Sequence, residues 1–351
     1  FLALLALMRV GARPLQAGAR GTLEADAACA PLRLALIPPS PVSDAIRLEI
    51  RAGISNRAGT AAAFDVAFYL DRARADALLH RERAEPGPAS ACAVSFRWPT
   101  RGMAGAHRIL CVAAGPAGEL RAEAPLTILA TGAPTTGRLG GAWVDLYHHD
   151  DEEGKRFNAE LARMTEHDWR HLVRAMRAAE MNVLVVTMLF QNFTHVGQHA
   201  IERDGYQGRA YYPSRLYPGR MPIASEDPLE TILCEADTLG MHVLPGIGCY
   251  AFFDFTPASL EWHKRIASEV WQRYGHHPSF YGWYVSEEIA GSLGADDRRR
   301  QELVDFFRDF RAHARALAPE KPVMLATNAH GIRNAGSYYS RLLPHLDILC
   351  P

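Results

Sequence analysis

The sequence predicts an α/β chain: a (β/α)8 TIM barrel, truncated after its sixth strand, preceded by an all-β sandwich. Three observations carry this expectation. From about Pro31 to Ile128 apolar residues alternate with polar ones at period two. After Gly141 short apolar runs alternate with stretches of helical period, which implies a parallel sheet with both faces covered. Neither GxGxxG nor GxxxxGK[ST] follows any strand, which disfavours a nucleotide-binding doubly wound sheet.

Residues 1–20 read as a partial signal peptide. Phe1–Met8 is an uninterrupted apolar run, too short to span a bilayer but suited to the end of a secretory h-region. Small residues at Ala17, Gly18 and Ala19 offer a cleavage site. The expected location is therefore secreted or periplasmic, with no membrane span in the mature protein. Residues 30–130 form the sandwich. Ile46, Leu48 and Ile50 alternate with polar neighbours, as do Phe64, Val66 and Phe68. Turn signals at Ser55-Asn56, Glu85-Pro86-Gly87-Pro88 and Gly115-Pro116 separate the runs. The stretch IRLEIRAGISNRAGTAAAFDVAFYLD resembles immunoglobulin-like adhesion modules attached to secreted enzymes, with Asn56 and Gly59 in the turn between two strands. Residues 131–140, rich in Gly, Thr and Pro, read as a linker.

The barrel occupies residues 141–351. GAWVDLY precedes a helix over Thr165–Glu180, where Thr165 and Asp168 make a capping-box-like start. MNVLVVTMLF precedes a helix over Pro228–Gly240, with Gly240 as its C′ stop. HVLPGIGCY precedes a helix over Ala258–Tyr274, and FYGWYVSEEI one over Asp296–Ala318; PVMLATNAH and HLDILC follow as strands five and six. An eight-stranded barrel needs about 250 residues and this segment has roughly 210, so the barrel is expected to be incomplete at its C-terminus.

Apolar residues make up 48% of the chain and charged residues 22%, enough to bury a sizeable core. The net charge of −1 supplies no basic field for nucleic acid. Among the six cysteines, Cys92 and Cys111 lie in strand-like segments and are candidates for a cross-sheet disulfide, whereas Cys234 and Cys249 read as buried free thiols. No Cys/His spacing suggests zinc, and the acidic run after Tyr147 reads as solvated, so neither metal nor cofactor is expected.

In such barrels the reactive groups sit at the C-terminal ends of the strands. On strand four, Gly282, Tyr284, Ser286 and Glu288 share one parity, and Trp283 and Val285 suit the helix-packed side. Glu288 is then the inward carboxylate, with Glu287 the alternative if the strand end bulges. The same reading turns Trp143, Asp145 and Tyr147 inward on strand one, Thr187 and Gln191 on strand two, Tyr250 on strand three, and Asn328 with His330 on strand five. Carboxylate, amide and aromatic groups at one mouth fit a carbohydrate, with Trp143, Tyr147 and Tyr250 stacking and Asp145, Gln191, Asn192 and Asn328 holding hydroxyls. The long insertion Asn192–Asp227, dense in Tyr, Arg, Pro and Gly, is expected to wall the cleft.

GAWVDLY, AYYPSRLYP with DPLETILCEADTLGMHVLPGI, HHPSFYGWYVSEEI and LDILCP together resemble the domain of unknown function 4434 family, glycoside-hydrolase-like TIM barrels of bacteria, over Gly141–Pro351. In that family the Glu before the Ile of the fourth-strand motif recurs, and it falls on Glu288. Ser286 and Glu287 stand where the relatives tend to carry Pro and a bulky residue, which leaves Glu287 open as the alternative. The resemblance implies a glycoside hydrolase acting on a poly- or oligosaccharide by two-carboxylate chemistry, with Glu288 as general acid/base, its pKa raised at the barrel mouth, and a nucleophile on strand seven. The chain as given is then expected to be inactive alone. The alternative is a non-catalytic carbohydrate-binding or cell-surface protein on the same scaffold.

Overall fold

A computed structural model describes residues 30–131, 140–147, 155–156, 159–192, 208–216, 219–248 and 255–351. The first 20 residues and nearly all of the expected linker lie outside the described residues.

Eight strands build the N-terminal sandwich: β1 (Leu32–Ile37), β2 (Val42–Ser43), β3 (Arg47–Asn56), β4 (Phe64–Leu70), β5 (Leu78–Ala84), β6 (Ser90–Pro99), β7 (Gly105–Gly115) and β8 (Gly118–Leu129). They form one sheet of order β1-β3-β6 and a second of order β2-β8-β7-β4-β5. All pairings are antiparallel except β2–β8. Leu48, Ile50 and Ile54 from the first sheet meet Val66, Phe68, Ile109 and Leu126 from the second in one core, as the period-two pattern dictates. The turn expected at Asn56 is present. Its amide donates to the carbonyls of Thr60 and Gly87, both at 2.8 Å, and its Oδ1 accepts from Ala58 N–H at 3.0 Å. One buried side chain thereby fixes two turns. Cys92 and Cys111 are free thiols rather than a disulfide: Cys92 lies on β6 and Cys111 on β7, in opposite sheets.

The second half begins with β9 (Gly141–Val144) and α1 (Glu166–Ala178). Then come β10 (Val183–Val186), β11 (Phe190–Asn192), β12 (Gly208–Ala210), β13 (Gly219–Arg220), α2 (Pro228–Leu239) and β14 (His242–Pro245). The chain continues through α3 (Pro257–Tyr274), β15 (Trp283–Ile289), α4 (Asp297–Leu317), β16 (Val323–Thr327), α5 (Tyr338–Leu342) and β17 (Ile348–Cys350). The local signals act where expected. Thr165 and Asp168 close a capping box and Gly240 ends α2 at φ 63°; Asp227, a cap the sequence reading did not single out, accepts from Glu230 N–H. Parallel pairing joins β9-β10-β14 and β15-β16-β17, and bridges Val243–Phe280 and Gly246–Tyr284 link the two sets into a half-barrel of six parallel strands.

The two faces of this sheet carry different side chains. Leu184, Val186, Val243, Trp283, Val285 and Leu325 pack with the helices, whereas Val185, Leu244, Tyr284, Met324 and Ala326 form the inner layer. Trp283 is therefore a core aromatic, wedged 5.0 Å from Phe280 and 5.9 Å from Trp271 between ring centroids. Cys234 is exposed on α2, not buried: the apolar stripe of the helix runs through Leu229, Ile232, Leu233 and Ala236.

The sandwich docks on the N-terminal ends of these strands. Tyr281 Oη, just before β15, donates to Leu36 carbonyl at 2.7 Å, and Asn182, just before β10, donates to Ser40 carbonyl. Arg33 pairs with Glu320 at 3.0 Å and lies over the Trp271 ring. At Gly53 a Cβ would fall 2.4 Å from Glu320 Oε2 and 3.1 Å from Pro319 Cγ, so a larger residue there would have to displace the Glu320 carboxylate. At the centre Arg51, fully buried, donates to Asp347 Oδ1 at 2.6 Å and to Glu49 Oε1 at 2.6 Å. Asp347 also accepts from Val323 N–H at 2.9 Å and from Arg311 at 3.2 Å.

Burial pushes the Asp347 carboxyl up, but the Arg51 hydrogen bond and charge, with Val323 and Arg311, outweigh it and hold the group below its ordinary range. Its stabilising contribution is therefore complete above the unfolded carboxylate pKa of about 4 and is lost as pH falls through the lower folded value. Arg51→Ala should cost about 3–5 kcal/mol in urea denaturation at pH 7, because it strands a buried carboxylate. The Arg51→Met, Asp347→Leu pair should recover most of that loss and flatten the acid limb of the stability profile.

Candidate active site at the mouth of the parallel sheet

With the N-terminal ends covered by the sandwich, the C-terminal strand ends form the other rim. Trp143 stands in register with Val185 and so points to the inner side. It is 49% exposed, and its ring meets Tyr284 edge-on, 6.5 Å between centroids at 75°. Tyr284 itself is buried in the inner layer. Asp145 follows directly on the end of β9 and is half-buried. Thr187, just past β10, donates its N–H to Val144 carbonyl at 3.0 Å, which ties the first two strand ends together. A Cβ on Gly246 would sit 2.1 Å from Thr187 carbonyl oxygen, so the third strand end closes against the second only because this residue is glycine.

The fourth strand end departs from regular alternation. Val285 opposes Leu325 and Ile289 opposes Thr327, so four residue steps on β15 meet two on β16. The two extra residues make a bulge across Ser286, Glu287 and Glu288. Parity counted from Tyr284 therefore does not carry through to Glu288, and the strand end holds two adjacent carboxylates within an irregular segment. The side chains of these three residues lie outside the described residues. The loop after the bulge is tightly fastened. Asn328 N–H donates to Ile289 carbonyl at 2.9 Å, and Asn328 Oδ1 accepts from Gly291 N–H at 3.2 Å and from His330 N–H at 2.9 Å. Tyr339 Oη adds a bond to Gly291 carbonyl at 2.9 Å. Asn328 and His330 are both exposed beside this loop, so the amide positions the segment that carries Glu287 and Glu288.

The remaining expected residues fall elsewhere. Tyr147 is 8% exposed and belongs to the helix-packed core, with Tyr211 Oη donating to its carbonyl at 3.4 Å. The strand ends at Val144, so inward alternation does not extend to Tyr147, and its ring face is not presented at the mouth. Gln191 and Asn192 lie on β11, paired antiparallel with β12, and their side chains are outside the described residues, as is Tyr250. The Tyr-rich insertion is explained in part by packing. Tyr211 and Tyr212 are fully buried, and Glu269 of α3 accepts from Tyr212 Oη at 2.6 Å, Ser214 Oγ at 2.7 Å and Arg215 N–H at 2.5 Å. Burial and the neighbouring Glu269 charge push the Tyr212 phenol well above its ordinary value, so it stays a donor. This anchored part seats on the helical layer instead of walling the cleft; residues 193–207 lie outside the described residues. Glu269 was hidden in the sequence among the polar positions of an amphipathic helix.

The beta-glucuronidases of dog and cat are each 27% identical over 124 residues, taking in 34% of this chain and 17% of theirs. The chain therefore spans about a sixth of the length of these curated relatives. A solved beta-glucuronidase 2 of Bacteroides uniformis aligns with 91% of this chain and 35% of its own at 14% identity and TM-score 0.35. A GH2 beta-galacturonidase of Eisenbergiella tayi aligns with 84% and 46% at 13% identity and TM-score 0.35. The family model described as domain of unknown function 4434 matches residues 139–350, which take in all six parallel strands and the helices between them. The chain belongs to the domain of unknown function 4434 family.

Proposed function

We propose that this chain is part of a glycoside hydrolase and that its six parallel strands are the first six of a (β/α)8 barrel. The observation that carries the reading is the rim itself: β15 ends in the bulged Glu287-Glu288 pair, clamped through Asn328 and Gly291, on the same rim as the exposed Trp143 indole. A carboxylate and a flat apolar face on one rim suit protonation of a glycosidic oxygen with the sugar ring stacked on the indole. Glu288 is assigned the general-acid role, because it precedes the Ile of the fourth-strand motif. Asp145 and the Asn328 amide are assigned to hydroxyl recognition. The second carboxylate is assigned to a later strand, where about 5–5.5 Å separation gives retention and about 6.5–9.5 Å inversion.

Beta-glucuronides are the substrates to try first, since the curated relatives bear that name. The apolar run Phe1–Met8 supports export to the periplasm or beyond. The sandwich is assigned a structural role at the opposite end from the chemistry.

The test uses the longest natural gene product that carries this chain, with a panel of aryl glycosides. Glu288→Gln should lower kcat/KM by about 10²–10⁴ while sugar binding persists; Glu287→Gln should stay within roughly tenfold of wild type. Loss on Glu287→Gln alone would move the acid role by one residue. No turnover on any glycoside, with sugar binding retained, would replace the hydrolase by a carbohydrate-binding protein. Trp143→Ala should raise KM by about tenfold and change stability by under about 1 kcal/mol, because the ring is half exposed.

A further inference from the structure

We propose that Glu230, Cys234 and His277 form a binding site for a divalent transition-metal ion of the zinc class, at the N-terminal end of the parallel strands. Glu230 and Cys234 are four apart on α2, so they project from one face of the helix. His277 arrives from the turn between α3 and β15. One donor atom from each of the three lies within 4.8 Å of the others, and among the described residues this is the cluster that offers three such donors. Taking one ion requires the three donors, which lie within 4.8 Å of one another, to draw together by a side-chain adjustment. Glu230 presents Oε2 to His277 Nε2 at 3.2 Å and Oε1 to Cys234 Sγ at 3.4 Å. Ligands held about 2.0–2.3 Å from a tetrahedral ion stand about 3.3–3.7 Å apart.

The imidazole is already oriented for ligation. His277 Nδ1 donates to Asp237 Oδ2 at 2.7 Å, and Asp237 Oδ1 accepts from Ser279 N–H at 2.8 Å. That fixes Nε2 as the nitrogen facing Glu230 and Cys234, which is the carboxylate–histidine–metal arrangement. The His277 side chain is 4% exposed, whereas Cys234 is exposed, so the fourth position opens to water on the thiol side. Behind the histidine, a cleft of about 570 Å³ between the sandwich and the strand ends is lined by Asp237, His276 and His277. A thiolate, an imidazole and a carboxylate select a borderline ion over calcium or magnesium. Bound there, the ion would clip α2 to the turn that leads into β15.

The rival is a plain ion pair in which protonated His277 bridges Glu230 and Asp237, a pairing that has no use for the thiol. The purified, metal-stripped chain titrated with Co²⁺ separates the two. The expected result is one equivalent bound, with a thiolate-to-cobalt charge-transfer absorption that Cys234→Ser abolishes and that Asp237→Asn shifts to about 10–100-fold higher metal concentration. Zn²⁺ should raise Tm for the wild type and not for Cys234→Ser. Because Cys234 is exposed, the serine variant should keep its fold, which circular dichroism checks. A wild type without the absorption, or an absorption that survives Cys234→Ser and so belongs to another cysteine, overturns the site.

Discussion

The buried contact between Arg51 and Asp347 is the constraint on which the arrangement of the molecule turns. A guanidinium and a carboxylate are both taken out of water, and further bonds share the cost: Arg51 also donates to Glu49, and Asp347 also accepts from Val323 N–H and Arg311. An apolar contact of the same size would allow β3 to slide across the strand ends. The charged one fixes a single registry, since a shift of a few ångströms would leave two buried charges unpaired at a cost of several kcal/mol. Gly53 against Glu320 and Tyr281 against Leu36 hold that registry at further points. β3 is consequently buried on both faces, with Ile50 and Ile54 inside the sandwich and Arg51 against the parallel strands.

Much of this was legible in the sequence because it rests on local rules. Period-two alternation, the capping box at Thr165 and the stop at Gly240 each act within a few residues, and the helices begin and end within two residues of their expected bounds. Parity also separated Trp283 and Val285 from Tyr284 correctly, because β15 is regular up to Val285. It stops being informative at Ser286, where two inserted residues break the alternation. A bulge leaves no trace in composition, so the choice between Glu287 and Glu288 is one that alternation cannot make.

The features that sequence reading misplaced are set by distant partners. Tyr147 reads as an inward strand residue until β9 is seen to end at Val144. Tyr212 reads as part of a cleft wall until Glu269, more than fifty residues on, is found to accept its hydroxyl, and Tyr211 until its own hydroxyl is found on Tyr147 carbonyl. Cys234 reads as a buried thiol from its apolar neighbours, yet the helix turns it outward beside Glu230 and within reach of His277, more than forty residues later. Aromatic density and apolar context describe what a residue is suited to; only the fold decides which surface receives it.

The two ends of the parallel strands consequently carry separate tasks. The polar bonds to the sandwich arise just before a strand begins, at Asn182, Tyr281, Glu320 and Asp347. The groups at and just past the strand ends, such as Thr187 and Asn328, are held instead by neighbouring strand termini and by their own loops. Tyr284 joins the ends, since it sits in the buried inner layer and touches the exposed indole at the rim. A change in the interface reaches the mouth only through that packed layer. Close-packed interiors transmit displacement but accommodate loss of charge poorly, so weakening the interface should lower stability before it alters the geometry of the rim.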